Sequence, residues 1–118
     1  MRLQDKVAIV TGAGAGMGRA TAELFAREGA IVAVCDRDAA GAAETVKHIL
    51  EAGGKAKAYS VDVSKEDSVA AAMEQVVADF GKLSILVNCA GVNGVNLWTH
   101  EVDFKDWEAV FAVDVNGV

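Results

Sequence analysis

The sequence has no proline and, among its 118 residues, only two cysteines, two histidines and one tyrosine. It also lacks repeats, low-complexity segments and proline-rich linkers, so a chain of this length predicts a single domain. No apolar run approaches the length of a transmembrane helix, and residues 1–6 contain no apolar signal region. We therefore expect a cytoplasmic protein without a membrane partner.

Basic residues are in the minority, with 11 Lys and Arg against 17 Asp and Glu, and the formal net charge is -6. This balance argues against nucleic acid as a partner. It does not exclude an anionic cofactor, because local backbone dipoles can hold one. With 53% hydrophobic and 24% charged residues, the composition is that of a globular protein.

Residues 7–18, Val-Ala-Ile-Val-Thr-Gly-Ala-Gly-Ala-Gly-Met-Gly, contain four of the 12 glycines. The apolar run 7–10 shows no alternation, which is typical of a strand covered on both faces. From Met17 onward, apolar residues recur at helical spacing. A glycine turn between a buried strand and a helix N-terminus favours the binding of a phosphate.

The glycine spacing fits neither the G-x-G-x-x-G fingerprint nor the P-loop pattern. It fits T-G-x-x-x-G-x-G, formed by Thr11, Gly12, Gly16 and Gly18. This pattern resembles the short-chain dehydrogenase/reductase family, whose members bind NAD(H) or NADP(H) in a Rossmann-type domain. A flexible glycine turn without a ligand is the alternative, and the flanking strand and helix argue against it. The resemblance implies that residues 1–118 form the N-terminal portion of such a domain and that Thr11, Gly12, Gly16, Met17 and Gly18 contact the cofactor.

Strands and helices alternate along the whole chain, which predicts an α/β fold with a parallel, doubly wound sheet in the order 3-2-1-4. The predicted strands lie near 6–11, 31–35, 56–61 and 83–88, and the helices near 17–28, 39–52, from Ser64 to Phe80, and after a cap at Asp103. A loop is predicted over 91–102. The third helix is predicted to bury Val69, Ala72, Met73, Val76, Val77 and Phe80.

The two cysteines, Cys35 and Cys89, lie near the ends of the second and fourth predicted strands. One strand separates these two, so the thiols should be about 9–10 Å apart at ~4.8 Å per strand, too far for a disulfide. We expect two reduced packing residues. With no histidine nearby they do not predict a metal site.

Asp36 ends the second strand, 18 residues after Gly18. An acid near this distance can accept hydrogen bonds from the adenosine ribose of NAD and repel the extra phosphate of NADP. Arg37 has the opposite effect, since a guanidinium can hold that phosphate. Many NADP-preferring relatives also carry a basic residue inside the glycine turn, where this chain has Ala13, Gly14 and Ala15. We therefore predict NAD as the cofactor.

The family resemblance assigns roles to four further positions. It places Asp62 at the adenine amino group and Val63 in the adenine pocket, although Asp62 alone could equally be an acid before a helix. The segment 88–91, Asn-Cys-Ala-Gly, is similar to the family's Asn-Asn-Ala-Gly, which passes beside the cofactor, so Asn88, Ala90 and Gly91 are predicted there. Cys89 replaces an asparagine that braces the sheet. Asn116 matches an asparagine that holds a water in the family's proton relay and is the one predicted catalytic residue.

The family's catalytic serine and its Tyr-x-x-x-Lys pair are not found in this sequence. Its tyrosine, Tyr59, has Val63 four residues later, and His48 and His100 are predicted to be surface residues. The resemblance implies an oxidoreductase acting on an alcohol or ketone, of which residues 1–118 are the cofactor half and are inactive alone. The full-length protein would be a homo-oligomer, a dimer or tetramer. The alternative is a stand-alone, non-catalytic dinucleotide-binding module.

Overall fold

The computed structural model describes residues 1–92 and 98–118. Within them, four strands and four α-helices alternate. They are β1 (Val7–Thr11), α1 (Gly16–Arg27), β2 (Ile31–Asp36), α2 (Ala39–Glu51), β3 (Lys55–Ser60), α3 (Glu66–Phe80), β4 (Ile85–Asn88) and α4 (Phe104–Asp114), with a short 3-10 helix over Thr99–Glu101.

The strands form one parallel sheet in the order β3-β2-β1-β4, which confirms the predicted topology. β1 lies between β2 and β4, and its last residue, Thr11, is paired with Cys35 on one side and Asn88 on the other. The chain therefore reverses its winding direction between β1 and β4. In open α/β sheets, ligands bind at the carboxyl ends of the strands at such a reversal.

Every residue of β1 is buried, because helices cover both faces of the sheet there. On one face, Val10 and Val34 pack against Ala22 of α1 and Ile49 of α2. On the other face, Ile9 and other residues of β1 to β3 belong to a cluster with Val76 of α3. Burying a Val or Ile side chain contributes about 1.5–3 kcal/mol, so the apolar run that predicts β1 also accounts for its central position.

The start of the third helix differs from the prediction. α3 begins at Glu66 with Lys65 at the N-cap position, and no side chain caps it. Ser64 instead donates its hydroxyl to Asp62, because a short polar side chain can bond just as well within a turn. Val77 is 46% exposed, so it was wrongly assigned to the buried stripe, whereas Val76 is fully buried.

In the C-terminal part of the described chain, few side chains are buried. β4 begins only at Ile85, two residues later than predicted, and part of the predicted loop over 91–102 lies outside the described residues. Asp103 holds the N-cap position of α4 but its side chain makes no capping bond, and α4 buries none of its residues. Among the described helices, none is long and apolar enough to cross a membrane.

Candidate cofactor-binding site

A cavity of about 360 Å³ opens at the carboxyl ends of the strands, within the size range of small-molecule pockets. It lies between the glycine turn, the end of β2, and the segments that follow β3 and β4. Nine predicted site residues line it: Thr11, Gly12, Gly16, Asp36, Arg37, Asp62, Val63, Ala90 and Gly91. Residues far apart in the sequence are thus brought together at the point that the topology predicts.

Four predicted site residues do not line this cavity. Met17 is 85% exposed at the start of α1, and Gly18 is buried beneath the turn. Asn88 and Asn116 together line a second cavity of about 480 Å³ on the α3 side of the sheet. The two cavities share four lining residues and are therefore neighbours: Thr11, Cys35, Val61 and Val63.

Two glycines of the turn, Gly12 and Gly16, have left-handed backbones, with φ of 62° and 56°. Gly18 is needed for a different reason, because a Cβ there would overlap the carbonyl of Gly12. Because of this contact, the first turn of α1 packs directly against the glycine turn. The first backbone N–H groups of an α-helix have no partner within the helix, so they can bind an anion at this position.

Asp36 connects the end of β2 to the glycine turn. Its Oδ2 accepts a hydrogen bond from the N–H of Gly14 at 2.8 Å, and its Oδ1 accepts one from the N–H of Asp38 at 2.9 Å. An ionised carboxylate has about four acceptor positions. The two bonds therefore orient Asp36 in the cavity wall and leave one position on each oxygen for a ligand.

Arg19 and Thr45 were missed in the sequence analysis, although they fix the same turn. The Nε of Arg19 donates to Thr45 Oγ1 at 2.9 Å, and the Thr45 hydroxyl lies 2.7 Å from the carbonyl of Ala13. Arg19 also donates to the carbonyl of Gly14 at 2.6 Å. A signal was present in the sequence, because Thr45 is a polar residue within the apolar stripe of α2, and a buried hydroxyl requires a partner.

Thr11 braces the end of β4. Its Oγ1 accepts hydrogen bonds from the backbone N–H groups of Cys89 at 3.1 Å and Ala90 at 3.2 Å. A Cβ at Gly12 would lie 2.7 Å from the same peptide, so the two segments are in direct contact. Thr11 thus holds the 88–91 segment in place, although Cys89 replaces the bracing asparagine.

A sequence profile described as short chain dehydrogenase matches residues 6–118. The chain belongs to this family. Glucose 1-dehydrogenase 2 of Bacillus subtilis is 42% identical over 98% of the chain, and (3R)-3-hydroxyacyl-CoA dehydrogenase of the dog, Canis lupus familiaris, is 39% identical over 100%. The chain spans 45% and 48% of these two relatives, a little under half their length.

Solved structures of the family share the fold of this chain. The 3-ketoacyl-(acyl-carrier-protein) reductase of Brucella melitensis, complexed with NADH, is 41% identical with a TM-score of 0.91 over 98% of the chain and 47% of its own length. A 7 alpha-hydroxysteroid dehydrogenase complexed with NADH and 7-oxo glycochenodeoxycholic acid is 36% identical, also with a TM-score of 0.91, over 98% and 45%. The predicted family and Rossmann-type architecture are confirmed.

Asp62 lines the cavity where the chain leaves β3. Its Oδ1 accepts hydrogen bonds from both the hydroxyl and the N–H of Ser64. These bonds, together with the charges of Arg37 and Lys65, hold the pKa of Asp62 below its usual value. The side chain is therefore an anion at neutral pH, able to accept a hydrogen bond from an amino group.

A third residue missed in the sequence analysis, Asp114 of α4, braces the other side of the site. Its Oδ1 accepts a hydrogen bond from the N–H of Val92 at 2.8 Å and lies beside Gly91. Further along, Gly117 packs so closely on Val63 that a Cβ would lie 2.8 Å from that side chain. The end of α4 is thus tied to both walls of the cavity.

Three further titratable residues have no predicted role at the site: Tyr59, His48 and Cys35, of which Cys35 lines the cavity. Tyr59 donates its hydroxyl to Asp79 at 2.6 Å, and burial followed by this bond raises the pKa of the phenol. Burial, and to a lesser extent Asp36, raises the pKa of Cys35 to about 12, so its thiol stays protonated. The side chain of His48 is 40% exposed, in keeping with its predicted surface position, and its Nδ1 lies 2.9 Å from Glu23. Among the described residues, no group of His, Cys, Asp and Glu could hold a metal ion.

Proposed function

We propose that this chain is the cofactor-binding portion of a longer NAD-dependent short-chain dehydrogenase, which transfers hydride between nicotinamide and an alcohol or ketone. The observation that carries the proposal is Asp36, an acceptor at the end of β2 that faces the cavity and is oriented by two backbone N–H groups. A carboxylate with one free acceptor position on each oxygen matches the two adjacent hydroxyls of a ribose.

The other cavity residues fit the remaining parts of a dinucleotide. The backbone at Gly16 and the first turn of α1 would hold the pyrophosphate. Asp62 and Val63 would bind the adenine, while Ala90 and Gly91 are small enough to let backbone approach the cofactor. When bound, the nicotinamide supplies or accepts the hydride.

Three observations support NAD over NADP. Asp36 carries the charge that repels a 2′-phosphate. The turn residues 13–15 include no basic side chain, and the nearby guanidinium of Arg19 is bonded to Thr45 and to backbone carbonyls. In addition, two related structures contain NADH. Arg37 also lines the cavity, and it would favour NADP only after removal of Asp36.

The remaining roles follow from the family. We propose that Asn116 holds a water of the proton relay from its position in the second cavity, which Asn88 also lines. Because the chain spans less than half of its relatives, the groups that bind the substrate oxygen would come from outside these residues. We also propose a small-molecule alcohol or ketone as substrate and a homo-oligomeric full-length enzyme.

The test is nucleotide binding and hydride transfer by the full-length protein, compared with its Asp36→Ala variant. We expect the wild type to bind NAD more tightly than NADP. Each charged hydrogen bond lost in the variant should weaken the binding of NAD by about 1.5–3 kcal/mol. The binding of NADP should weaken less, because the substitution also removes the repulsion between Asp36 and the 2′-phosphate.

Calorimetric titration of both nucleotides provides the affinities, and absorbance at the reduced nicotinamide band with a panel of alcohols and ketones provides the activity. Equal NAD and NADP affinities, unchanged by the substitution, would contradict the role of Asp36. NAD binding without any turnover would favour the stand-alone binding module.

A further inference from the structure

A continuous chain of hydrogen bonds runs from α1 to the Asp36 carboxylate. The Nε of Arg19 donates to Thr45 Oγ1 at 2.9 Å, and Thr45 Oγ1 donates to the carbonyl of Ala13 at 2.7 Å. The N–H of the same peptide, that of Gly14, donates to Asp36 Oδ2 at 2.8 Å. All three donors point in the same direction, from a cation to an anion.

Thr45 is the central residue of this series of hydrogen bonds. It is fully buried, and its hydroxyl has a second acceptor, the carbonyl of Gly41 one turn earlier in α2, at the longer distance of 3.2 Å. A threonine in a helix normally donates to such a carbonyl. Here Arg19 occupies a lone pair of the hydroxyl, and the shorter bond is the one to Ala13. Thr45 therefore holds the glycine turn rather than its own helix.

The peptide between Ala13 and Gly14 is consequently clamped from both sides, by Thr45 on its carbonyl and by Asp36 on its N–H. Hydrogen bonds that run in series polarise and strengthen one another in a low-dielectric interior. The same peptide cannot rotate without breaking both bonds. The orientation of the Asp36 carboxylate thus depends on groups of α1 and α2 that do not line the cavity.

We infer that Arg19 and Thr45 are positioning residues for ribose recognition: they set the Asp36 carboxylate so that its two free acceptor positions meet the ribose hydroxyls of NAD. This inference rests on the proposed function. It adds that discrimination at the ribose depends on the buried Thr45 hydroxyl and the Arg19 guanidinium.

The experiment compares two probes, NAD and an NAD analogue that lacks the adenosine 2′-hydroxyl, on the full-length protein. A hydrogen bond to a charged acceptor corresponds to roughly 10- to 100-fold in affinity, so the wild type should prefer NAD by about that factor. Thr45→Val removes the hydroxyl at nearly constant shape and should reduce the preference to less than about threefold. Thr45→Ser should retain it.

Thr21→Val is the matched control, because the Thr21 hydroxyl donates to Met17 within α1 and is not part of the chain of bonds. It should leave the preference unchanged. If Thr45 has only a structural role, its loss would weaken the binding of both probes equally and leave the ratio of their affinities unchanged. This ratio therefore separates positioning of Asp36 from an effect on stability. An unchanged ratio in Thr45→Val would overturn the inference.

Arg19→Lys decides the question if Thr45→Val does not fold. Lysine keeps the charge, but one ammonium group cannot reproduce the forked contacts with Thr45 and Gly14. The preference should fall in Arg19→Lys and not in Arg27→Lys, which alters an exposed arginine at the far end of the same helix. A wild type that binds neither probe would instead refute the proposed function, and this inference with it.

Discussion

At the scale of single residues, glycine is required at different positions of this chain for two separate reasons. Gly16 and Gly53 have left-handed backbones with φ of 56° and 85°, and apart from the adjoining backbone no atom of the described residues lies within 4 Å of where a Cβ would be. Gly18 has an ordinary φ but no space, since a Cβ would overlap the backbone of Gly12. Substitution by alanine should therefore have different consequences at the two kinds of position.

We expect Gly18→Ala to lower both stability and nucleotide affinity. Overpacking typically costs about 1–3 kcal/mol, and backbone atoms of the turn cannot rotate away as a side chain would. Gly53→Ala is the matched control and should cost about 1–2 kcal/mol for the left-handed backbone alone, with NAD affinity unchanged. Urea unfolding and NAD titration measure the two effects. A Gly18→Ala variant that binds NAD normally would show that the seating of α1 on the turn is unimportant for binding.

The residues of the cavity could largely be predicted from the sequence, because most of them follow strands, and parallel strands end at one edge of the sheet. Nine of the predicted residues line the cavity for this reason. The supporting residues Arg19, Thr45 and Asp114 could not be found in the same way. Their partners are backbone groups elsewhere in the chain, and no local pattern indicates which carbonyl or N–H a side chain will reach.

At the scale of elements, α3 is tied to the edge strand β3 by a polar cluster around Asp79. The carboxylate accepts bonds from Lys57 at 2.7 Å, Tyr59 at 2.6 Å and Gln75 at 2.9 Å. These bonds, that of Lys57 foremost, lower the pKa of Asp79 to about 2. A carboxyl whose pKa is lowered on folding stabilises the folded state above its ordinary pKa and loses this effect as the pH falls.

We therefore expect acid to weaken the attachment of α3. In the wild type, the free energy of unfolding should fall between about pH 4 and pH 2, because the unfolded chain takes up the Asp79 proton before the folded one does. Asp79→Asn should have lower stability at neutral pH and a shallower decline in this range. Urea unfolding as a function of pH is the measurement.

Glu74→Gln is the control for this experiment, because Glu74 is an exposed carboxylate of the same helix. It should keep the wild-type pH dependence. If the free energy of unfolding of Asp79→Asn has the same pH dependence as that of the wild type, the cluster around Asp79 does not cause the loss of stability in acid.

The existence and order of the elements could be predicted, whereas some of their boundaries could not. Alternating strand and helix patterns define the βαβ units, and their right-handed connections limit the possible strand orders. The start of α3 was wrong because Ser64 and Asp62 can bond to each other as readily as they can cap a helix. Local polar residues have several possible partners, and only the folded chain selects among them.

At the scale of the whole molecule, apolar surface is concentrated around β4 and α4. In β4, Leu86 is 47% exposed, and in α4 the stacked rings of Trp107 and Phe111 are 52% and 39% exposed. Within the described residues β4 pairs only with β1, so its other edge presents unpaired N–H and C=O groups. Such an edge, and the exposed aromatic rings of α4, favour association with another chain.

We expect residues 1–118, prepared alone, to be marginally stable and to self-associate through this region. NAD should add less than about 3 kcal/mol even at 100 times its Kd, by RT ln(1 + [L]/Kd). Trp107→Ser should shift sedimentation toward the monomer, whereas Trp98→Ser, at an exposed tryptophan outside α4, should not. A monodisperse monomer with a high, cooperative melting point would contradict this expectation.

The central position of β1 also has a consequence for the order in which the molecule assembles. On one side, β1 pairs with β2, which is close in sequence. On the side of β4, the N–H of Val7 donates to the hydroxyl of Ser84, 77 residues away. Long loops close slowly, and a nascent chain emerges from its N-terminus. Among the described elements, the β4 wall of the cavity should therefore form last, so cofactor binding would occur only when the sheet is complete. In stopped-flow refolding, the rate of NAD binding should equal that of the slowest folding phase of the protein.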